Sequence, residues 1–141
     1  MDRGSIIRVW LPLLLGVFGI YFIFVNGSGP RDHTRWAGLI VCLIGLAGVI
    51  AARYTLGSSF SIVPKARELV TTGIYSRIRN PIYVFSLILI VGVIVMVRNP
   101  VLLFLPVIIL PIQIIRARRE AQVLEARFGE AYRQYRAQTW F

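Results

Sequence analysis

The chain has 141 residues, of which 57% are hydrophobic and only 16% are charged, a composition that argues against an ordinary soluble domain and is typical of a polytopic membrane protein. The 16 Lys and Arg residues exceed the six Asp and Glu residues, giving a formal charge of +10. We attribute this excess to cations at the cytoplasmic ends of membrane spans, rather than to nucleic-acid binding. A single cysteine, Cys42, excludes an intramolecular disulfide and is expected to have a packing role.

Four apolar stretches follow one another along the chain, each near the length that crosses a hydrocarbon core of about 30 Å. They cover about residues 6–25, 36–52, 81–97 and 101–115. The first stretch lacks a small-x-small cleavage site after it and is therefore interpreted as a retained span, not a signal peptide. The last two are separated only by residues 98–100, which predicts a tight helical hairpin. We therefore predict an all-α protein with four transmembrane helices, forming one domain over residues 1–141.

The distribution of cations predicts how these spans are oriented. With four spans, the N-terminus, residues 53–80 and the C-terminal tail share one side, which carries thirteen Lys and Arg residues. The opposite side carries three, Arg31, Arg35 and Arg98, of which Arg98 is interpreted as an interface anchor. The positive-inside rule then predicts a multi-pass membrane protein with both termini in the cytoplasm.

The tail is predicted to be an amphipathic cytoplasmic helix that continues out of the fourth span. Its apolar residues recur at spacings that fall within one arc of a 3.6-residue helix. Gly129 predicts a bend, and Arg116 and Glu120, four residues apart, lie on the flank of the arc. The members of the arc are Ala117, Ala121, Leu124, Phe128, Ala131, Tyr132 and Tyr135.

Two polar patches are expected to meet at the cytoplasmic surface. One is the end of the loop over residues 53–80, which Pro64 prevents from being one continuous helix; the other is the start of the tail helix. The hairpin of spans three and four connects them, and because that hairpin is short, its two cytoplasmic ends must lie near each other. The spacing therefore predicts one site at the membrane boundary.

Three segments resemble the isoprenylcysteine carboxyl methyltransferases and their bacterial relatives. They are "TLGSSFS", "LVTTGIYSRIRNPIY" and "REAQVLEARFGEAYRQY", which agree with that family in order and spacing within residues 53–137. The resemblance implies an integral membrane enzyme that uses S-adenosylmethionine to methylate a lipophilic acceptor, most readily a carboxylate. It also implies that Arg116 is the catalytic residue, placed near the carboxylate of the acceptor.

The same resemblance implies which residues line the cofactor site. A carboxylate such as Glu120 is a suitable partner for the cofactor ammonium, and the rings of Tyr75 and Tyr83 offer faces to a sulfonium or an adenine. The implied cofactor-binding residues are Glu68, Leu69, Val70, Tyr75, Arg79, Asn80, Pro81, Ile82, Tyr83 and Glu120.

Two positions depart from the family pattern and keep alternatives open. Asn80 stands where histidine is usual, and Ala121 stands where a second glutamate is usual. A phospholipid amine N-methyltransferase and a non-catalytic membrane protein that retains the fold are the alternatives. Gln113 lies near the end of the fourth span, where burying a polar side chain costs free energy. It faces either the cofactor pocket or other parts of the protein. No metal site is expected, since the sequence offers no clear second metal ligand for the single histidine, His33.

Overall fold

The protein is built from helices. A computed structural model describes residues 3–27, 32–56 and 69–141, with side chains described from residue 14 onward. No strand occurs in these ranges, so the predicted all-α class is confirmed there. Short 3₁₀ turns at Gly73–Ser76 and Pro100–Leu103 precede the third and fourth helices. The helices are α1 (Arg3–Asn26), α2 (His33–Leu56), α3 (Pro81–Val97), α4 (Phe104–Phe128) and α5 (Glu130–Gln138).

Two helical segments are long and apolar enough to cross a bilayer. They are His33–Leu56 and Pro100–Phe128, which contain the predicted second and fourth spans. Helix α3 coincides with the predicted third span, 81–97, but its 17 residues rise only about 26 Å at 1.5 Å per residue. The described apolar part of α1, Leu14–Asn26, is also short. The structure thus supports two spans by length and composition, and it does not confirm four.

Helices α2 and α3 form the core, because glycines let their backbones approach closely. A Cβ atom added to Gly45 of α2 would lie 2.6 Å from the backbone nitrogen of Leu89 in α3. A Cβ atom on Gly92 of α3 would lie 2.5 Å from the backbone nitrogen of Cys42. Cys42 itself is fully buried, which agrees with its predicted packing role. Small residues at such an interface allow the van der Waals contact that holds helices together in lipid.

Polar contacts connect α1, α2 and α3 at one end of this helix pair. Arg35 is buried, and its Nη2 donates to the carbonyl oxygens of Ile23 at 2.8 Å and Gly27 at 2.9 Å, which caps the C-terminus of α1. Asp32 accepts a hydrogen bond from the backbone N–H of Arg35 and forms an ion pair with Arg98. Arg98, predicted to be an interface anchor, therefore joins the end of α3 to the start of α2.

The outer faces of α1 and α4 expose large apolar side chains. Phe18 and Leu14 on α1 are each 64% exposed, and Val107 on α4 is 65% exposed. Many large apolar side chains exposed in this way are unfavourable in water and are suited to contact with lipid acyl chains. The surface therefore supports the bilayer as the protein's surroundings.

The tail continues α4 and bends at Gly129, as predicted. Gly129 has a φ of 51°, in the region that favours glycine, and it separates α4 from α5. Tyr132 and Tyr135 of the predicted arc are buried, but Ala131 is exposed. Ala131 thus differs in exposure from the two tyrosines that follow the same bend.

The close contact between α2 and α3 gives a test of the core. We expect Gly45→Ala to lower the free energy of unfolding by about 1 to 3 kcal/mol, because the added methyl overlaps the backbone of Leu89. Gly19→Ala in α1 is the matched control, since no atom lies within 4 Å of the added Cβ, and it should be neutral or slightly stabilising. Equal effects in detergent unfolding followed by circular dichroism would contradict the packing described here.

Candidate active site

Side chains from α3 and α4 meet at the end of the helix pair opposite the Arg35 contacts. The hydroxyl of Tyr83 in α3 donates to Oε2 of Glu120 in α4 over 3.4 Å. The guanidinium carbon of Arg116 lies 6.0 Å from the centroid of the Tyr83 ring, within the range of a cation–π contact. The structure therefore brings these three predicted residues together, as the short hairpin requires.

Tyr75 lies beside this group, in the 3₁₀ turn that precedes α3. Its side chain is buried, and burial, followed by the nearby Glu120 carboxylate and the hydroxyls of Tyr135 and Tyr83, raises the pKa of Tyr75. The guanidinium of Arg53, at the end of α2, acts in the opposite direction. The Tyr75 phenol therefore stays neutral at physiological pH and contributes a polar aromatic wall.

Asn80 and Pro81 begin α3 and place the site residues that follow. Pro81 is fully buried at the first helical position, where its fixed φ favours the helix and its missing N–H is not needed. The Asn80 side chain makes no capping hydrogen bond, while its backbone carbonyl accepts from the N–H groups of Tyr83 at 3.1 Å and Val84 at 3.3 Å. The half-buried amide of Asn80 is therefore not used to cap its own helix.

The other predicted cofactor-binding residues lie in the segment before α3 and in the first turn of α3. Arg79 is half-buried. Burial raises the pKa of Tyr132 and Tyr135, and the charge of Arg79 opposes this effect. Arg79 therefore lies on the side of α5. Leu69 and Val70 are half-buried residues before the 3₁₀ turn, and Ile82 is half-buried in the first turn of α3. Glu68 lies outside the described residues.

A polar pair joins α3 and α4 next to the site. Nε2 of Gln113 donates to Oγ of Ser86 at 3.0 Å, and Oγ of Ser86 donates to the backbone carbonyl of Tyr83 at 3.0 Å. Gln113 therefore uses a side-chain hydrogen bond to fix α4 against the first turns of α3. This contact lies one helical turn from Arg116, because Gln113 precedes it by three residues.

Tyr135 also reaches the site, which the sequence did not indicate. It is buried, as expected for a packing residue, and its hydroxyl donates to the backbone carbonyl of Tyr75 at 2.8 Å. Burial raises the pKa of Tyr135 to about 12, so the phenol remains a donor at neutral pH. Arg53, counted from the sequence only as a topological charge, is a second neighbour of Tyr75 that no local pattern reveals.

Residues after α5 pair with the segment that enters α3. The backbone N–H of Arg79 donates to the carbonyl of Trp140 at 3.0 Å, and that of Asn80 donates to the carbonyl of Phe141 at 2.8 Å. In return, the N–H of Trp140 donates to the carbonyl of Arg77 at 3.1 Å, and Ile78 and Trp140 form a parallel bridge. The backbone of the predicted site is therefore held from outside by a short extended segment.

The arrangement is suited to a cationic organic ligand. It offers a carboxylate in a partly dehydrated position, aromatic rings and a guanidinium, and the residues the structure describes contain no group of three potential metal ligands. Its position at the end of a lipid-facing helix bundle defines a membrane-associated class of protein.

Comparison with known proteins identifies the family within this class. The family model for phospholipid methyltransferase matches residues 33–131, from the start of α2 into α5. The chain therefore belongs to the phospholipid methyltransferase family. This family and the isoprenylcysteine carboxyl methyltransferases are in the same broad family of membrane methyltransferases, but the match is not to that specific family. No curated protein and no solved structure matches the chain significantly.

The contact between Gln113 and Ser86 gives a quantitative prediction. In a double-mutant cycle with Gln113→Leu and Ser86→Ala, we expect a coupling free energy of about 0.6 kcal/mol and at most about 1.7 kcal/mol, the average and the maximum for interhelical hydrogen bonds in membranes. Unfolding in detergent gives the free energy of unfolding of the unmodified protein, the two single variants and the double variant. A coupling close to zero would show that the two side chains do not bond in the folded protein.

Proposed function

We propose that this protein transfers a methyl group from S-adenosylmethionine to a lipophilic acceptor at the membrane surface. The observation that carries the proposal is the meeting of Tyr83, Glu120 and Arg116 at the end of apolar helices. Membership of a methyltransferase family whose members are generally dependent on this cofactor supports the same chemistry.

The residues present fit the cofactor. The Glu120 carboxylate offers about four acceptor positions, and the Tyr83 bond at 3.4 Å is longer than the usual O–H···O bond of about 2.7 to 2.8 Å. A further, charged donor such as an ammonium group can therefore bind strongly there. Tyr75 and Tyr83 provide faces for a cation or a purine. Leu69, Val70, Ile82 and the Asn80 amide would complete the wall that excludes water.

The acceptor that we propose first is a carboxylate on a lipophilic molecule, as in isoprenylcysteine O-methylation. S-adenosylmethionine supplies an electrophilic methyl group on a sulfonium. A carboxylate with a pKa near 4 is already ionised at neutral pH, so no general base is required. Arg116 would hold the carboxylate in line, and the products are a methyl ester and the neutral thioether, with no proton transferred. The contribution of the protein is orientation and partial desolvation.

A phospholipid amine is the second candidate, because the matching family model carries the description phospholipid methyltransferase. An amine is protonated at neutral pH and must lose a proton before it attacks, which favours carboxylates around the nucleophile. Ala121 leaves Glu120 as the acid at this point of α4, and the proposal assigns Glu120 to the cofactor. The site chemistry therefore favours the carboxylate acceptor.

We infer that the site faces the cytoplasm, with four spans and both termini on that side, from the thirteen-to-three distribution of cations. Cysteine-accessibility labelling at positions 2, 66 and 138, with buried Cys42 replaced, should report the cytoplasmic side at all three positions. Labelling of position 66 from the opposite side would separate the loop from the tail and would remove the shared site.

A radiolabelled methyl-transfer assay tests the activity and distinguishes the acceptors. Purified protein and methyl-labelled S-adenosylmethionine are incubated separately with prenylcysteine and with phosphatidylethanolamine vesicles. Base-labile label in prenylcysteine would support a methyl ester, and base-stable label in the vesicles would support N-methylation. Cofactor binding without transfer to either lipid or to a membrane extract would favour a non-catalytic protein.

Glu120 should contribute far more to cofactor binding than Glu125. Glu120→Gln removes a charge-assisted hydrogen bond and should weaken binding by about 1.5 to 3 kcal/mol, roughly ten- to over a hundredfold in affinity. Glu125→Gln is the matched control, because Glu125 lies on the same helix as Glu120 but forms an ion pair with Arg133 of α5, with Nε and Oε1 3.0 Å apart. Calorimetry with S-adenosylmethionine measures the affinity of both variants. Equal small effects would exclude Glu120 from the site.

Asn80 should act by hydrogen bonding and not by charge. We expect Asn80→His to retain much of the affinity at two pH values, and Asn80→Leu to lose about 1 to 3 kcal/mol of binding free energy. Because the Asn80 side chain makes no capping hydrogen bond, a lost helix cap cannot account for the difference. If the leucine variant binds the cofactor as well as the unmodified protein, position 80 does not contact it.

A further inference from the structure

The segment formed by α5 and residues 139–141, here called the strap, makes hydrogen bonds to the backbone that enters the predicted site at two places. At one point the Tyr135 hydroxyl donates to the carbonyl of Tyr75. Further along, Trp140 and Phe141 exchange three backbone hydrogen bonds with residues 77–80. The strap therefore bonds to both ends of the short segment 75–80, which carries Tyr75 and Asn80.

The strap lies almost entirely beyond the family match. The match ends at residue 131, whereas Tyr135 and Trp140 follow it. The bonds are also specific in register, because the parallel bridge pairs Ile78 with Trp140 and the Thr139 backbone is extended, with φ −122° and ψ 147°. Packing alone does not require this register, since the Trp140 side chain is 58% exposed.

Residues 75–80 belong to a region that comprises the 3₁₀ turn Gly73–Ser76 and the four residues before α3 begins. The internal backbone hydrogen bonds of this region end at Ile78, because the N–H groups of Arg77 and Ile78 donate to the carbonyl of Ile74 at 3.4 and 3.1 Å. Its first residue, Gly73, has a φ of 59°, a conformation that does not propagate into a helix. Without the strap, the backbone N–H groups of Arg79 and Asn80 would lose their protein partners in this structure. The strap is therefore one of the elements that hold Tyr75 in place relative to α3.

We propose that Tyr135 and the backbone of Trp140 are positioning groups that set the affinity of the site for S-adenosylmethionine. This inference rests on the proposed function. When the strap is bonded, residues 75–80 are held in the conformation that binds the cofactor. When it is released, only a fraction of the molecules is competent, and the apparent affinity falls by that fraction. By linkage, bound cofactor must in turn stabilise the strap.

The test uses full-length protein in detergent and four variants. Tyr135→Phe removes the hydroxyl donor, and Trp140→Pro removes the N–H that donates to Arg77. The extended backbone of Thr139 already has the conformation that precedes a proline. Trp140→Ala keeps the N–H and removes the side chain. Arg133→Ala is a control on α5, because its ion pairs with Glu125 and Glu130 do not involve residues 75–80.

Calorimetry with S-adenosylmethionine should show a three- to tenfold loss of affinity for Tyr135→Phe and for Trp140→Pro, the size expected for one lost hydrogen bond. Trp140→Ala and Arg133→Ala should bind within twofold of the unmodified protein. In the methyl-transfer assay, the first two variants should raise KM for the cofactor and leave KM for the lipid unchanged. Hydrogen exchange at the amides of Arg79, Asn80 and Trp140 should slow when the cofactor is added.

Three results overturn the proposal. Folded Trp140→Pro and Tyr135→Phe proteins that bind like the unmodified protein would show that the strap does not set affinity. Parallel losses of affinity and thermal stability in all four variants would show a structural role alone. If the unmodified protein does not bind the cofactor, the proposed function fails, and the positioning role fails with it. The first two results leave the proposed function intact.

Discussion

The structure depends on the backbone contact between α2 and α3. In lipid there is no hydrophobic driving force between apolar helices, so close approach of small residues has to supply the association. Gly38 and Gly45 on α2, with Gly92 on α3, place the two backbones within a distance that any Cβ atom would obstruct. The polar contacts lie at the two ends of this pair, which therefore fixes the distance between them.

The two ends of the pair differ in chemistry. At one end, Arg35 caps α1 and Asp32 pairs with Arg98, so charged groups are matched by partners that fasten helix termini. At the other end, Glu120 accepts a long bond from Tyr83 near a guanidinium and a buried phenol. Matched charges stabilise a fold, whereas a carboxylate with acceptor capacity left is suited to binding a cation. The proposed chemistry lies at the second end for that reason.

Lipid contact and site chemistry come together along α4. One face of this helix carries Gln113 and Glu120, which bond to Ser86 and Tyr83 of α3. Other apolar residues of this helix are exposed, such as Val107 and Ile108. In the function proposed above, a lipophilic acceptor would remain in the bilayer while its polar group reaches Arg116, one turn beyond Gln113. A membrane-soluble molecule and a water-soluble cofactor would then meet at one boundary.

The sequence alone determined the helical class, the places of α2, α3 and α4, the bend at Gly129 and the proximity of Tyr83 to Glu120. These follow from local rules: apolar length, the short hairpin at residues 98–100 and the i, i+4 spacing of Arg116 and Glu120. The resemblance of the sequence to carboxyl methyltransferases also led to the right broad family, though not to the specific one.

Only the tertiary structure decided the contacts between residues distant in sequence. Arg53 and Tyr135 lie beside Tyr75, Arg35 caps another helix, and residues 140–141 pair with residues 77–80. The spacing of residues along one helix does not predict such contacts, because they depend on how separate helices pack against one another. Ala131 shows the same limit: its spacing places it on the arc with Tyr132 and Tyr135, but in the structure it is exposed while they are buried.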